Sequence, residues 1–246
     1  MDDSPQNFHV KDKVDTILGR LHSLADPERA AHAHRYFKSG PGQYGEGDRF
    51  LGIRVPQLRA LAREFRETPL EEVLRLLQSP WHEARFTALV ILTEQFRRAK
   101  SEAARRRIFE AYLDHTAYIN NWDLVDCSAH KIVGPWLEKR SRRPLCKLAK
   151  SSLLWDRRIA VISTFHLIRL EDFDDCLALA ELLLNDSEDL MHKAVGWMLR
   201  EVGNRDRAVL ESFLDRHAVE MPRTMLRYAI EKLPEMRRRY YLNSGR

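Results

Sequence analysis

The stretch 192–197, HKAVGW, lines up with ARFTAL (84–89), RRIAVI (157–162) and LRYAIE (226–231). Each places a basic residue second, so Arg85, Arg158, Lys193 and Arg227 occupy one equivalent position. Working outward, helices are expected to begin near Pro80, Ile119, Leu153, Glu188 and Pro222, with steps of 39, 34, 35 and 34 residues. A fixed step in that range is the signature of a repeated helix pair, because each unit must bury its apolar face against the next one.

Other local signals agree with an all-helical chain. Phe86, Leu89, Val90 and Phe96 recur at helical spacing. Start signals follow in order at Thr68-Pro69, Ser79-Pro80, Ser101-Glu102, Asp172, Asn185 to Ser187 and Met221-Pro222. A helix from Ser101 to His115 alternates with those of the repeat. The expected fold is an all-α, HEAT-like solenoid of antiparallel helix pairs, curved, with a basic concave face. Residues 11–242 are expected to form one domain, with flexible ends at 1–10 and 243–246.

The 246 residues carry a formal net charge of +5, with an isoelectric point near 9.2. An anionic partner fits that balance, although 36 acidic residues rule out a simple basic tail. Charge is unevenly spread. Between Pro135 and Arg158 eight basic residues face two acids, and between Glu171 and Asp189 there are eight acids and no base. Such segregation is expected to put the two signs on different faces, one of them attractive to phosphate. Cys127, Cys146 and Cys176 show no CxxC spacing and the opening MDDSPQNFHV has no apolar core, so disulfides, a secretory leader and a membrane span are not expected and the cytoplasm is the default compartment. No metal site is expected, since His32 and His34 diverge on a helix.

Five of the ten glycines fall in the segment 40–52, GPGQYGEGDRFLG. Without a GK[ST] ending or a preceding strand, it is a purposeful loop or a long connection rather than a phosphate-binding P-loop. The side chains suited to chemistry lie further on. In NNWDLVDCSAHKIV, Trp122 and Asp126 are four apart and share a helix face. Asp126 falls in the slot that the other repeats fill with a base. In HKAVGWMLRE, Lys193, Trp197 and Arg200 are spaced by four and three, with Gly196 placed to admit another backbone, and Trp155 pairs with Arg158. Each has a plainer reading: the tryptophans as core, Asp126 as the ion-pair partner of Arg158, and the basic row as an internal hydrogen-bond ladder.

NNWDLVD, LWDRRIAV and HKAVGWMLRE, in that order, together with FLGIRVPQLRAL, resemble the motifs of the AlkD-type DNA alkylation repair family from about Ala31 to Leu242. The resemblance implies a monomeric, metal-free and cofactor-free glycosylase that acts on duplex DNA and removes cationic alkylated purines such as 3-methyladenine and 7-methylguanine. By position Trp122, Asp126 and Trp197 match the family's catalytic aromatic, carboxylate and second aromatic. Arg158 and Arg200 match its DNA-contacting arginines, and Lys193, Arg85 and Arg227 extend that basic row. Tyr36 and Phe50 fall where N-terminal aromatics contact DNA. One departure is Asp189-Leu190, where active relatives carry an aromatic pair. That change keeps open a DNA-structure binder without catalysis, and the repeats alone are also compatible with a protein-interaction solenoid.

Overall fold

The computed structural model describes residues 12–244. The ends expected at 1–10 and, in part, 243–246 lie outside the described residues, although the last helix runs to Asn243. Fourteen α-helices and one short 3-10 helix, Thr116–Tyr118, account for the regular structure among the described residues. The only strand-like pairing among them is an isolated bridge between Arg49 and Trp81. The chain is all-α. No helix among the described residues is long and apolar enough to cross a membrane. It divides into two compact units, Met1–Gln95 and Phe96–Arg246.

The first unit holds α1 (Lys13–Ser23), α2 (Pro27–Tyr36), α3 (Val55–Glu64), α4 (Leu70–Leu77) and most of α5 (His82–Arg98). Asp26 caps α2 by accepting from the Arg29 amide at 3.1 Å, and Pro27 opens the helix where its missing N–H costs nothing. The glycine-rich segment is tied down rather than loose. Buried Glu83 accepts from the amides of Leu51 at 2.9 Å and Gly52 at 2.7 Å. Gly52, with φ of 78°, lies so close to Asp26 O and Ala30 N that no side chain fits there. Asp48, 5% exposed, receives His82 Nδ1 at 3.0 Å and the Arg85 guanidinium.

The second unit is the helix-pair repeat. Its pairs are α6 (Glu102–Asp114) with α7 (Trp122–Leu137), α8 (Arg143–Ala149) with α9 (Leu154–Ile168), α10 (Asp174–Leu182) with α11 (Asp189–Gly203), and α12 (Arg207–His217) with α13 (Arg223–Ala229), followed by α14 (Glu235–Asn243). The second helix of each pair packs on the second helix of the next, α7 on α9, α9 on α11 and α11 on α13. The sequence-based starts at Leu153, Glu188 and Pro222 agree with the observed ones to a single residue, and that at Ile119 to three. At Gly196 a methyl group would stand 2.5 Å from both Met225 O and Tyr228 Cβ, so the backbone contact expected there is present and excludes a side chain.

A hydrogen bond from side chain to preceding turn marks the true register of the repeats. Arg85 donates to Ser79 O at 3.0 Å, Arg157 to Ser151 O at 3.0 Å, and His192 Nε2 to Asp186 O at 2.6 Å. Each reaches back six residues to a carbonyl that the helix leaves unpaired. Arg85 is therefore equivalent to Arg157 and His192, not to Arg158 and Lys193, and the first segment of the sequence alignment is one residue out of step.

Candidate active site

Three stacked helices build the site in the second unit. Asn121, fully buried, accepts from the Trp122 amide at 2.9 Å and starts α7. Trp122, Asp126 and His130 then follow at intervals of four and line one face of α7. Trp122 is half-buried. Asp126 meets Arg158 of α9 through a two-pronged pair, Nε to Oδ1 at 2.9 Å and Nη2 to Oδ2 at 2.8 Å. The remaining Arg158 nitrogen, Nη1, donates to Leu190 O in the first turn of α11 at 2.7 Å. One guanidinium thus ties α7, α9 and α11 together.

Exposure differs across this pair: 6% for the Arg158 side chain and 18% for Asp126. The arginine is sealed inside while the carboxylate keeps an edge toward solvent. Burial pushes the Asp126 carboxyl above the ordinary carboxylate value, the Arg158 charge and hydrogen bonds pull it back, and Asp123 pushes it up again. Both oxygens accept at once, which is the arrangement of an ionised carboxylate.

An aromatic row continues from this pair. The His130 ring stands edge-on to Phe165 of α9, with centroids 5.5 Å apart, and Phe165 lies 6.0 Å from the Trp197 ring of α11. Burial, reinforced by Lys131 and Arg169, pushes His130 down to about 4, so the ring is neutral near pH 7. Trp197 is half-buried and its Nε1 donates to Glu201 Oε1 at 3.2 Å. That bond fixes the ring plane. Glu201 in turn accepts from Arg205, whose guanidinium lies 5.7 Å from the Phe165 centroid. His130 and Phe165 escaped the sequence reading, although continuing the Trp122, Asp126 stripe by one further turn reaches His130.

A family model described as DNA alkylation repair enzyme matches residues 17–233. The chain belongs to the DNA alkylation repair enzyme family. The family gives it a role in alkylation repair and DNA as its partner. Among curated proteins none matches the chain. The solved structure of a predicted DNA alkylation repair enzyme from Enterococcus faecalis is similar at 20% identity and a TM-score of 0.66, covering 86% of this chain and 98% of that one. At that identity the likeness is one of fold.

In this alkylation repair protein the basic residues singled out by sequence are mostly engaged. Arg85 is 4% exposed and bound to Asp48, and Phe50, also 4% exposed, stacks on Phe37 and His82. Neither reaches the surface, so neither is placed to touch DNA. Arg158 serves Asp126. Arg200 pairs with Glu231, and Lys193 with Asp189 at 2.7 Å. Arg227 and Tyr36 are exposed. Nor do the basic and acidic stretches face apart throughout: Arg142 binds Asp172 and Asp175, and Arg157 binds Asp186 at 2.6 Å. Stacking of neighbouring repeats brings residues about thirty positions apart side by side, so much of the charge segregated along the chain is neutralised in space.

Proposed function

We propose that the protein is a monofunctional DNA glycosylase that hydrolyses the N-glycosidic bond of cationic alkylated purines in duplex DNA. The observation that carries this reading is the Asp126 carboxylate, oriented by Arg158 and partly open beside Trp122. Alkylation leaves the base positively charged, so the bond to C1′ breaks with its electron pair moving onto the base, which departs neutral. No general acid is needed, and the neutral His130 ring fits that requirement. The sugar becomes oxocarbenium-like, and a nearby carboxylate and an indole face both favour positive charge there. Water adds its oxygen to C1′, and its proton passes to Asp126 or to solvent.

In this assignment Trp122, Asp126 and Trp197 act on the reacting sugar and base. Arg158, expected from sequence to contact DNA, becomes a positioning residue, because all three of its donor directions in use go to protein. Arg227, Arg200, Lys193 and Tyr36 remain candidates for the DNA backbone. The chain acts as a monomer, in the cytoplasm, without a cofactor. The test is release of methylated bases from duplex DNA by wild type and by Asp126→Asn. Release that wild type shows and Asp126→Asn loses supports the proposal, and equal release by both refutes it.

A second reading, binding of altered DNA without excision, is favoured by one observation. Arg158 already neutralises the carboxylate on which catalysis relies. Tight duplex binding with no base release would establish it.

A further inference from the structure

At the C-terminal end of α2, in the first unit, a groove of about 470 Å³ is lined by His34, Arg35, Lys38, Ser39, Gly40 and Gln43. None of these is acidic, and neither Arg35 nor Lys38 forms an ion pair among the described residues. Arg85, Arg142, Arg157, Arg158 and Arg200, by contrast, are each paired with a carboxylate. The groove is held in shape by its own bonds. The Ser39 hydroxyl donates to His34 O at 3.1 Å, so His34 Nδ1 donates to Ser39 Oγ at 2.8 Å. The Gly45 amide donates to Lys38 O at 3.0 Å and closes the turn. Gln43 Oε1 accepts from the Gly40 amide at 3.0 Å, which leaves the Gln43 amide nitrogen as a donor.

Among the described residues Lys38 is one of two non-glycine residues with positive φ, at 52°. A lysine gains nothing locally from that conformation, and glycine or asparagine would adopt it with less strain. Lys38 there, beside Arg35 and an amide donor, matches an anion with several acceptor oxygens.

We propose that this groove seats one phosphate of the DNA backbone between Arg35 and Lys38, with the Gln43 amide as a further donor. The inference rests on DNA being the partner but not on base excision. The full chain is tested with an unmethylated duplex oligonucleotide over a salt series, comparing wild type, the double variant Arg35→Gln/Lys38→Asn and the charge-preserving Arg35→Lys. Asparagine tolerates the left-handed backbone, so the loop is kept while the charge is removed. The double variant is expected to bind more weakly and to lose about one unit from the slope of log affinity against log salt, with Arg35→Lys close to wild type. Unchanged affinity and slope in a double variant with wild-type thermal unfolding overturn the proposal. Inorganic phosphate, exchanged for chloride at constant ionic strength, distinguishes the source. If it binds wild type and not the double variant while duplex affinity is unaltered, the groove takes free phosphate and the DNA assignment is overturned. Base release is measured separately, so its absence would remove the glycosylase reading and leave this result standing.

Discussion

Arg158 grips Asp126 with two parallel hydrogen bonds, 2.9 and 2.8 Å long, while its third contact reaches the Leu190 carbonyl at 2.7 Å. A carboxylate expected to stand alone in a basic row is therefore oriented and half neutralised by a cation from the neighbouring repeat. Removing the arginine strands a buried charge, and breaking such a pair costs about 3–5 kcal/mol. Arg158→Met should lower unfolding stability by that order in urea titrations. The double variant Asp126→Leu/Arg158→Met should recover most of it, since neither desolvated charge remains.

Catalytic loss should rank by interaction type. An electrostatic partner aimed at the transition state is worth about 3–4 kcal/mol, so Asp126→Asn should slow base release by two orders of magnitude or more. Trp122→Ala and Trp197→Ala each remove an aromatic contact with a cation, worth about 0.5–2 kcal/mol. Single-turnover release rates from methylated duplex should fall less for either tryptophan variant than for Asp126→Asn.

Arg85 separates the structural part of the basic row from any part that meets DNA. With Asp48 and the Ser79 carbonyl as its partners, Arg85→Ala should destabilise the chain by about 3–5 kcal/mol. The salt dependence of duplex binding should stay as in wild type. A shallower salt slope in Arg85→Ala would restore it as a phosphate contact.

His130 predicts a pH dependence of stability. Its folded value is pushed down to about 4, against an ordinary 6.5. Between these values the unfolded chain binds a proton that the folded chain refuses, so its contribution to stability falls as pH drops through that window. Urea midpoints should decrease from about pH 7 to about pH 5, and His130→Gln should reduce that decrease.

Gly196 tests the stacking of α11 on α13. A methyl group there meets Met225 O and Tyr228 Cβ at 2.5 Å, and overpacking of this kind costs about 1–3 kcal/mol. Gly196→Ala should lower unfolding stability by that amount in urea titrations even though alanine favours helix.

Much of the architecture was legible in the linear order of residues. Proline and serine start signals located Leu70, Glu102 and Arg223 as first helical residues to within two positions, because caps act over a single turn. The recurring apolar segments near 157, 192 and 226 exposed the repeat for an equally local reason: each helix needs the same face to bury. The shared face of Trp122 and Asp126 also follows from spacing alone.

Spacing offers a pair such as Asp126 with Arg158 as one reading among several, but no local rule decides which partner each charge takes. Asp126 with Arg158, Arg157 with Asp186 and Arg200 with Glu231 are separated by 32, 29 and 31 residues, and only the stacking of one helix pair on the next brings them into reach. The bonds from Arg85, Arg157 and His192 back to the preceding turn matched Arg85 to Arg157 rather than Arg158. Amino-acid order settles which face a side chain occupies, because the helical period is intrinsic to the backbone. Whether a guanidinium on that face meets a carboxylate, a turn carbonyl or solvent depends on the neighbouring repeat, and that belongs to tertiary packing.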